Sequence, residues 1–181
     1  MQDIVTFIDE AERAPNAEAI RKANRENPTM DDVCLKELGL HYKGRLYISK
    51  IVPEQVMVQR VHENKIRVII SMGFSMSPWA RIESRLGNPE LISYDLEDQE
   101  TPEDITAMKR ALPHIAKKIQ ECLLRGDNVL IHCYQGMSRS VTPVLYFISK
   151  MHNIPLLVAL KHVKAKRPVI CPKKAFLELC L

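Results

Sequence analysis

The stretch VLIHCYQGMSRSVTPVLYF, Val129 to Phe147, permits few folds. An apolar run stops at His132-Cys133, a short polar turn follows, and a helix is predicted from about Ser140 to His152. A strand feeding a helix through so short a turn is the joint of a layered α/β unit. KIRVIISM, Lys65 to Met72, is β-branched and nearly all apolar, as a strand covered on both faces must be. RLYIS, Arg45 to Ser49, and ELISYDL, Glu90 to Leu96, predict two more strands. The clearest helix lies between ELISYDL and the joint. Thr101 is its N-cap, Pro102 its first residue and Asp104 stands three after the cap. Ile105, Met108, Leu112, Ile115, Ile119 and Cys122 form one buried stripe, Pro113 predicts a kink, and Gly126 closes the helix. Pro53 opens a short helix through roughly His62, and two more are expected over Pro155–Lys166 and from Pro172 onward. Strands alternating with helices predict an α/β fold, a central sheet with helices on both sides.

Before Leu40 the pattern differs. Ile4, Val5, Phe7, Ile8 and Ala11 sit at helical spacing, Pro15 and Pro28 interrupt, and Thr29 to Gly39 reads as a further short helix with Val33, Leu35 and Leu38 on its apolar face. This divides the chain into an N-terminal helical extension, 1–40, and a main domain, 41–181. The extension's apolar face is expected to pack on the main domain, with a homodimer contact as the alternative. A chain of 181 residues, 46% hydrophobic and 27% charged, has ordinary globular composition. Its net charge of +4 is too small to argue for nucleic acid, no run suits a membrane span, and the acidic N-terminus is not a secretory signal. Five cysteines without paired spacing fit a reducing compartment, the cytoplasm or nucleus.

The joint itself carries chemistry. Backbone N–H groups of the turn and the first helical turn lack intrahelical partners, and with the helix dipole they cradle an anion. A cysteine at the strand's end shares that positive field, which favours its thiolate. Gly136 permits the left-handed backbone a tight loop needs, Arg139 can return its planar fork to grip two anion oxygens, and Ser140 can donate to the sulfur.

His-Cys-x2-Gly-x2-Arg-Ser between strand and helix resembles the signature loop of cysteine-dependent protein phosphatases. The flanks resemble the dual-specificity branch, in its small single-domain form, from roughly Tyr42 to Leu181. RLYIS resembles the family's first catalytic strand, YDLEDQETPEDI its acid-bearing loop, and KRPVICPKKAFLELCL its closing segment. The resemblance implies a mixed, mostly parallel sheet; no cofactor is expected, and no metal, because His132 and Cys133 are adjacent and no second ligand pair has suitable spacing. It also implies roles. Cys133 is the nucleophile that becomes a cysteinyl phosphate. Arg139 and the loop Tyr134, Gln135, Gly136, Met137 and Ser138 bind the phosphate. Ser140 assists breakdown of the intermediate, and His132 supports the loop. Asp98 is the general acid and then base, with Asp95 as the second choice because the interval from Asp98 to Cys133 is slightly longer than the family's. Where the family often supports the loop with an asparagine amide, this chain has Ile70 or a neighbour, so other contacts such as Ser71 must serve.

The loop carries no lysine, which favours phosphoprotein substrates over phosphoinositides, and the chain lacks length for the loops that deepen tyrosine-specific pockets. Phosphotyrosine, phosphoserine and phosphothreonine are all expected substrates. An RNA 5′-triphosphatase, a phosphoinositide phosphatase and a non-catalytic phospho-binding module are the alternatives. Plainer readings apply elsewhere. Cys122 is a structural thiol and Trp79 packs the core. Cys171 and Cys180 are each weighed as a redox partner for Cys133.

Overall fold

The computed structural model describes residues 1–181. In chain order the elements are α1 (Gln2–Arg13), α2 (Ala17–Glu26), β1 (Met30–Asp32), β2 (Leu46–Lys50), α3 (Glu54–Glu63), β3 (Ile66–Met72), β4 (Glu90–Tyr94), α4 (Pro102–Arg125), β5 (Asn128–Cys133), α5 (Val141–His152), α6 (Leu156–Lys166) and α7 (Lys174–Glu178). Short 3₁₀ turns occupy Leu35–Leu38 and Ala80–Leu86.

The five strands form one sheet in the order β1-β2-β5-β3-β4, with β5 at its centre. β2, β5, β3 and β4 are parallel, and only the edge strand β1 is antiparallel, to β2. This is the mixed, mostly parallel sheet expected. Alternation along the strands sorts the core into two layers. Leu46, Ile48, Val68, Ile70, Val129 and Ile131 face a cluster of 33 buried residues shared with α4, α5 and α6. Tyr47, Ile69 and Leu130 face a smaller cluster of 10 with α3 and the 80–86 turn. The larger layer therefore supplies most of the burial that anchors β5, at roughly 25 cal/mol per Å² of apolar surface.

α4 is framed as its sequence predicts. Thr101 accepts from the Asp104 N–H at 3.2 Å while the Asp104 carboxylate accepts from the Thr101 N–H at 3.3 Å, a reciprocal capping box. The helix runs through Pro113 as one element to Gly126, whose φ of 96° ends it.

The segment after Pro28 departs from expectation. Thr29–Gly39 is not a helix: Met30–Asp32 pairs with Ser49–Tyr47 as β1, and only Leu35–Leu38 turns, capped by Gly39. The two aspartates explain the difference, because their side chains serve the backbone and a distant cation. Asp32 accepts from the Cys34 N–H at 2.8 Å, and Asp31 pairs with Arg167 at 2.7 Å. The apolar face of α1 lies on the chain's own core, with Ile4 buried and Phe7 and Ile8 packed beside it.

Candidate active site

β5 runs centrally between β2 and β3 and delivers Cys133 to the sheet's C-terminal edge, where α5 begins eight residues later. Ligands of open α/β sheets collect at that edge. Cys133 is 3% exposed, at the margin of the larger apolar cluster, and two polar donors meet its sulfur. It accepts from the Gly136 N–H at 3.1 Å and the Ser140 hydroxyl at 3.2 Å. Gly136 has φ 65°, and a Cβ there would lie 2.5 Å from both the Ser49 carbonyl oxygen and Arg167 Nη2. Only glycine fits.

Arg139 turns inward. Its Nη1 donates to the Leu96 carbonyl at 3.2 Å, and its Nε lies 4.0 Å from Asp98 Oδ2. That Nε is buried without a hydrogen-bond partner. A charged donor held out of water with no acceptor is costly, and a bound oxyanion relieves the cost.

Asp98 lines the same cleft, of about 480 Å³, with Cys133, Tyr134, Gln135, Met137, Ser138 and Arg139. Its Oδ1 accepts from the buried Ser138 hydroxyl at 2.9 Å. Burial pushes the Asp98 pKa above its ordinary value; the Ser138 hydrogen bond, Arg139 and Lys173 oppose the shift, and Glu100 adds to it. Asp95 is exposed and is not among the residues of this cleft. The capping box extends to the acid loop, since Asp104 also accepts from the Gln99 N–H at 3.3 Å.

His132 lies wholly buried beneath the loop. The Trp79 indole N–H donates to its Nε2 at 2.8 Å, and the Ser71 hydroxyl sits 2.8 Å from the same nitrogen. Because an indole can only donate, Nε2 is an acceptor and the ring proton sits on Nδ1. Burial pushes the His132 pKa down to about 4, with the Cys133 main chain offsetting part of the effect. The ring is a neutral prop at physiological pH. Ser71 thus supports His132 beneath the loop, on the strand where the family often has an asparagine.

The sequence model of the dual specificity phosphatase catalytic domain matches residues 47–180. The chain belongs to that family. Dual specificity protein phosphatase 1 of Arabidopsis thaliana is 48% identical over 60 residues, 33% of this chain and 30% of the relative. Dual specificity protein phosphatase 15 of Mus musculus is 29% identical over 113 residues, 62% and 44% of the two chains. These alignments span less than half the length of either curated relative. Among solved structures, the PTP-2 phosphatase of Cydia pomonella superposes with a TM-score of 0.62 at 25% identity, covering 75% of this chain and 83% of that one.

Several residues of this phosphatase domain escape a reading of the sequence. α1 lends Ile8 and Glu12 to the lining of the cleft, which Lys173 and Lys174 also share. Cys171 also lines the cleft, but burial, and then its hydrogen bond to Glu12, push its pKa up to about 11; burial pushes Cys180 to about 12. Both stay protonated thiols at neutral pH, and Cys122 is buried in the core as a structural thiol. Trp79 does pack the core, at 2% exposure, yet it also fixes the His132 tautomer.

Gly73 follows β3 directly, and a glycine in that place is the signal the sequence offers. It has φ 88°, and a Cβ there would overlap Arg139 Nη1 and lie 3.2 Å from the Leu96 carbonyl oxygen. Gly73→Ala is expected to displace the guanidinium and lower kcat/KM about 100-fold. The left-handed backbone adds only about 1 kcal/mol of instability. Steady-state kinetics beside a thermal melt separate the two effects.

Proposed function

We propose that the chain is a cysteine-dependent phosphoprotein phosphatase acting on phosphotyrosine, phosphoserine and phosphothreonine. The observation that carries this reading is the convergence of Gly136 N–H and Ser140 hydroxyl on the Cys133 sulfur, beside an Arg139 Nε that lacks an acceptor. Cys133 attacks phosphorus as thiolate, forming the S–P bond as the ester P–O bond breaks. The Arg139 fork and the loop amides stabilise the equatorial oxygens. Asp98, protonated, gives its proton to the departing oxygen. As carboxylate it then takes a proton from the water that attacks the cysteinyl phosphate, releasing inorganic phosphate. The sulfur leaves as thiolate with the Ser140 hydroxyl donating to it. A thiolate nucleophile requires a reducing milieu, so the proposed site of action is the cytoplasm or nucleus.

The test is a substrate panel under reducing conditions. Phosphotyrosine, phosphoserine and phosphothreonine peptides are expected to be hydrolysed, phosphotyrosine fastest, in preference to an RNA 5′-triphosphate or a phosphoinositide. Cleavage of phosphotyrosine alone would overturn the broad specificity. Turnover confined to RNA ends or phosphoinositides would overturn the phosphoprotein assignment.

A further inference from the structure

Outside the residues already assigned to chemistry, the most heavily engaged polar side chain is Arg167, at the end of α6. It is 1% exposed. A guanidinium carries five N–H donors, and here five acceptors meet it. Nε donates to the Gly136 carbonyl at 2.7 Å. Nη1 donates to Asp31 at 2.7 Å and to the Thr29 carbonyl at 3.3 Å. Nη2 donates to Asn24 Oδ1 at 3.0 Å and to the Gln135 carbonyl at 3.4 Å. Two acceptors therefore belong to the loop that follows Cys133, and three to the N-terminal segment. Asn24 closes the circuit, its Nδ2 donating to the Gln135 carbonyl at 3.2 Å.

We infer that Arg167, held by Asn24 and Asp31, is a positioning residue that aims the loop's amide donors at the phosphate. In a trans peptide the carbonyl and the next residue's N–H point to opposite sides. Fixing the Gln135 carbonyl on Arg167 turns the Gly136 N–H the other way, and that N–H does meet the Cys133 sulfur at 3.1 Å. Fixing the Gly136 carbonyl likewise sets the Met137 N–H on the side away from the arginine. The absence of a Cβ at Gly136 is what lets Nη2 approach, since one there would lie 2.5 Å from it. A fork is required, because a lysine ammonium has three donors at one point and cannot span both the loop and Asp31. Residues 24–31 are thus a working part of the phosphate cradle, not an appendage to it.

The inference rests on the phosphatase reading only for its turnover arm. The other arm is calorimetric binding of tungstate, a phosphate-shaped oxyanion, by the full chain. Arg167→Lys is expected to weaken tungstate about tenfold and to lower kcat/KM for para-nitrophenyl phosphate about 100-fold, as misaimed oxyanion donors should. Asn24→Ala, more exposed and milder, is expected to weaken tungstate about threefold, since it removes one hydrogen bond to the guanidinium and one to the loop. Circular dichroism and a thermal melt establish the folded fraction against which both are normalised. A folded Arg167→Lys that binds tungstate within about twofold of the parent overturns the positioning role. Unchanged binding by Asn24→Ala overturns the N-terminal contribution, and that variant decides alone if Arg167→Lys does not fold. A parent that binds tungstate yet hydrolyses no ester sinks the phosphatase reading while the binding arm still judges this one.

Discussion

Cys133→Ser is expected to lower turnover by at least about 10⁴-fold while leaving oxyanion binding largely intact, the scale on which a covalent nucleophile is missed. The two halves follow from different atoms. In the proposed mechanism the bond to phosphorus forms from sulfur, and a serine hydroxyl in its place stays protonated, because its only close partners, the Gly136 N–H and the Ser140 hydroxyl, are donors and not bases. Neutral His132 cannot serve as that base either, since its Nε2 is already engaged by Trp79 and Ser71. The anion cradle belongs to the main chain and to Arg139, and the substitution leaves both in place, with the Gly136 N–H meeting an oxygen where it met sulfur. The variant should therefore hold a phosphopeptide that it does not hydrolyse. Single-turnover kinetics with ³²P-labelled substrate give the direct check: the parent passes through a covalent, protein-bound phosphate and the variant does not. Parent-like turnover by Cys133→Ser would remove the nucleophile assignment. Loss of binding along with turnover, in a folded variant, would mean that the sulfur also organises the cradle.

How much of this site shows in the sequence depends on where each contact is encoded. The Cys133–Ser140 loop is legible because its parts are contiguous: one strand end, one glycine, one arginine and one hydroxyl, each chosen by a local requirement. α4 is legible for the same reason, with Thr101, Pro102 and Asp104 adjacent and Gly126 closing a stripe in fixed phase. What stays hidden is whatever needs two distant segments to meet. Trp79 and Ser71 reach His132 from 53 and 61 residues away, and Arg167 joins Asp31 across 136. Nothing in the composition around Arg167 marks it as buried. The strand at Met30–Asp32, where local spacing predicts a helix, has the same origin. Local spacing allowed a helix, but Asp31 is drawn to Arg167 and the backbone to β2, so a tertiary pair and a strand ladder prevail over weak local propensity. Gly73 is intermediate: the residue is plain in the sequence, but its reason, the guanidinium of Arg139 against it, is not.

Asp98→Asn should lower the rate on an unactivated alkyl phosphate by about 10²–10⁴-fold, and Asp95→Asn should do far less. An alkoxide is a poor leaving group, so the step needs the proton, whereas para-nitrophenolate leaves without much help. The loss on that activated ester should accordingly be much smaller, a split that a merely structural role would not produce. Burial, the largest influence on Asp98, raises its pKa and keeps it protonated further into the working range, as a general acid requires. The same shift has a stability consequence of definite sign. Between the unfolded value near 3.8 and the raised folded value, the native chain binds more proton at this site than the unfolded chain. Stability from this group is therefore full below pH about 3.8 and declines as pH rises through the folded pKa. Asparagine cannot ionise, so Asp98→Asn escapes that decline. The slow variant is expected to melt at or above the parent's temperature at neutral pH, and the gap should narrow on acidification. A variant both slower and less stable at neutral pH would show that the Ser138 and Arg139 contacts outweigh the burial. If Asp95→Asn instead suffers the larger loss on the alkyl ester, the proton comes from Asp95, and the acid loop must close further over Cys133 than its position here requires.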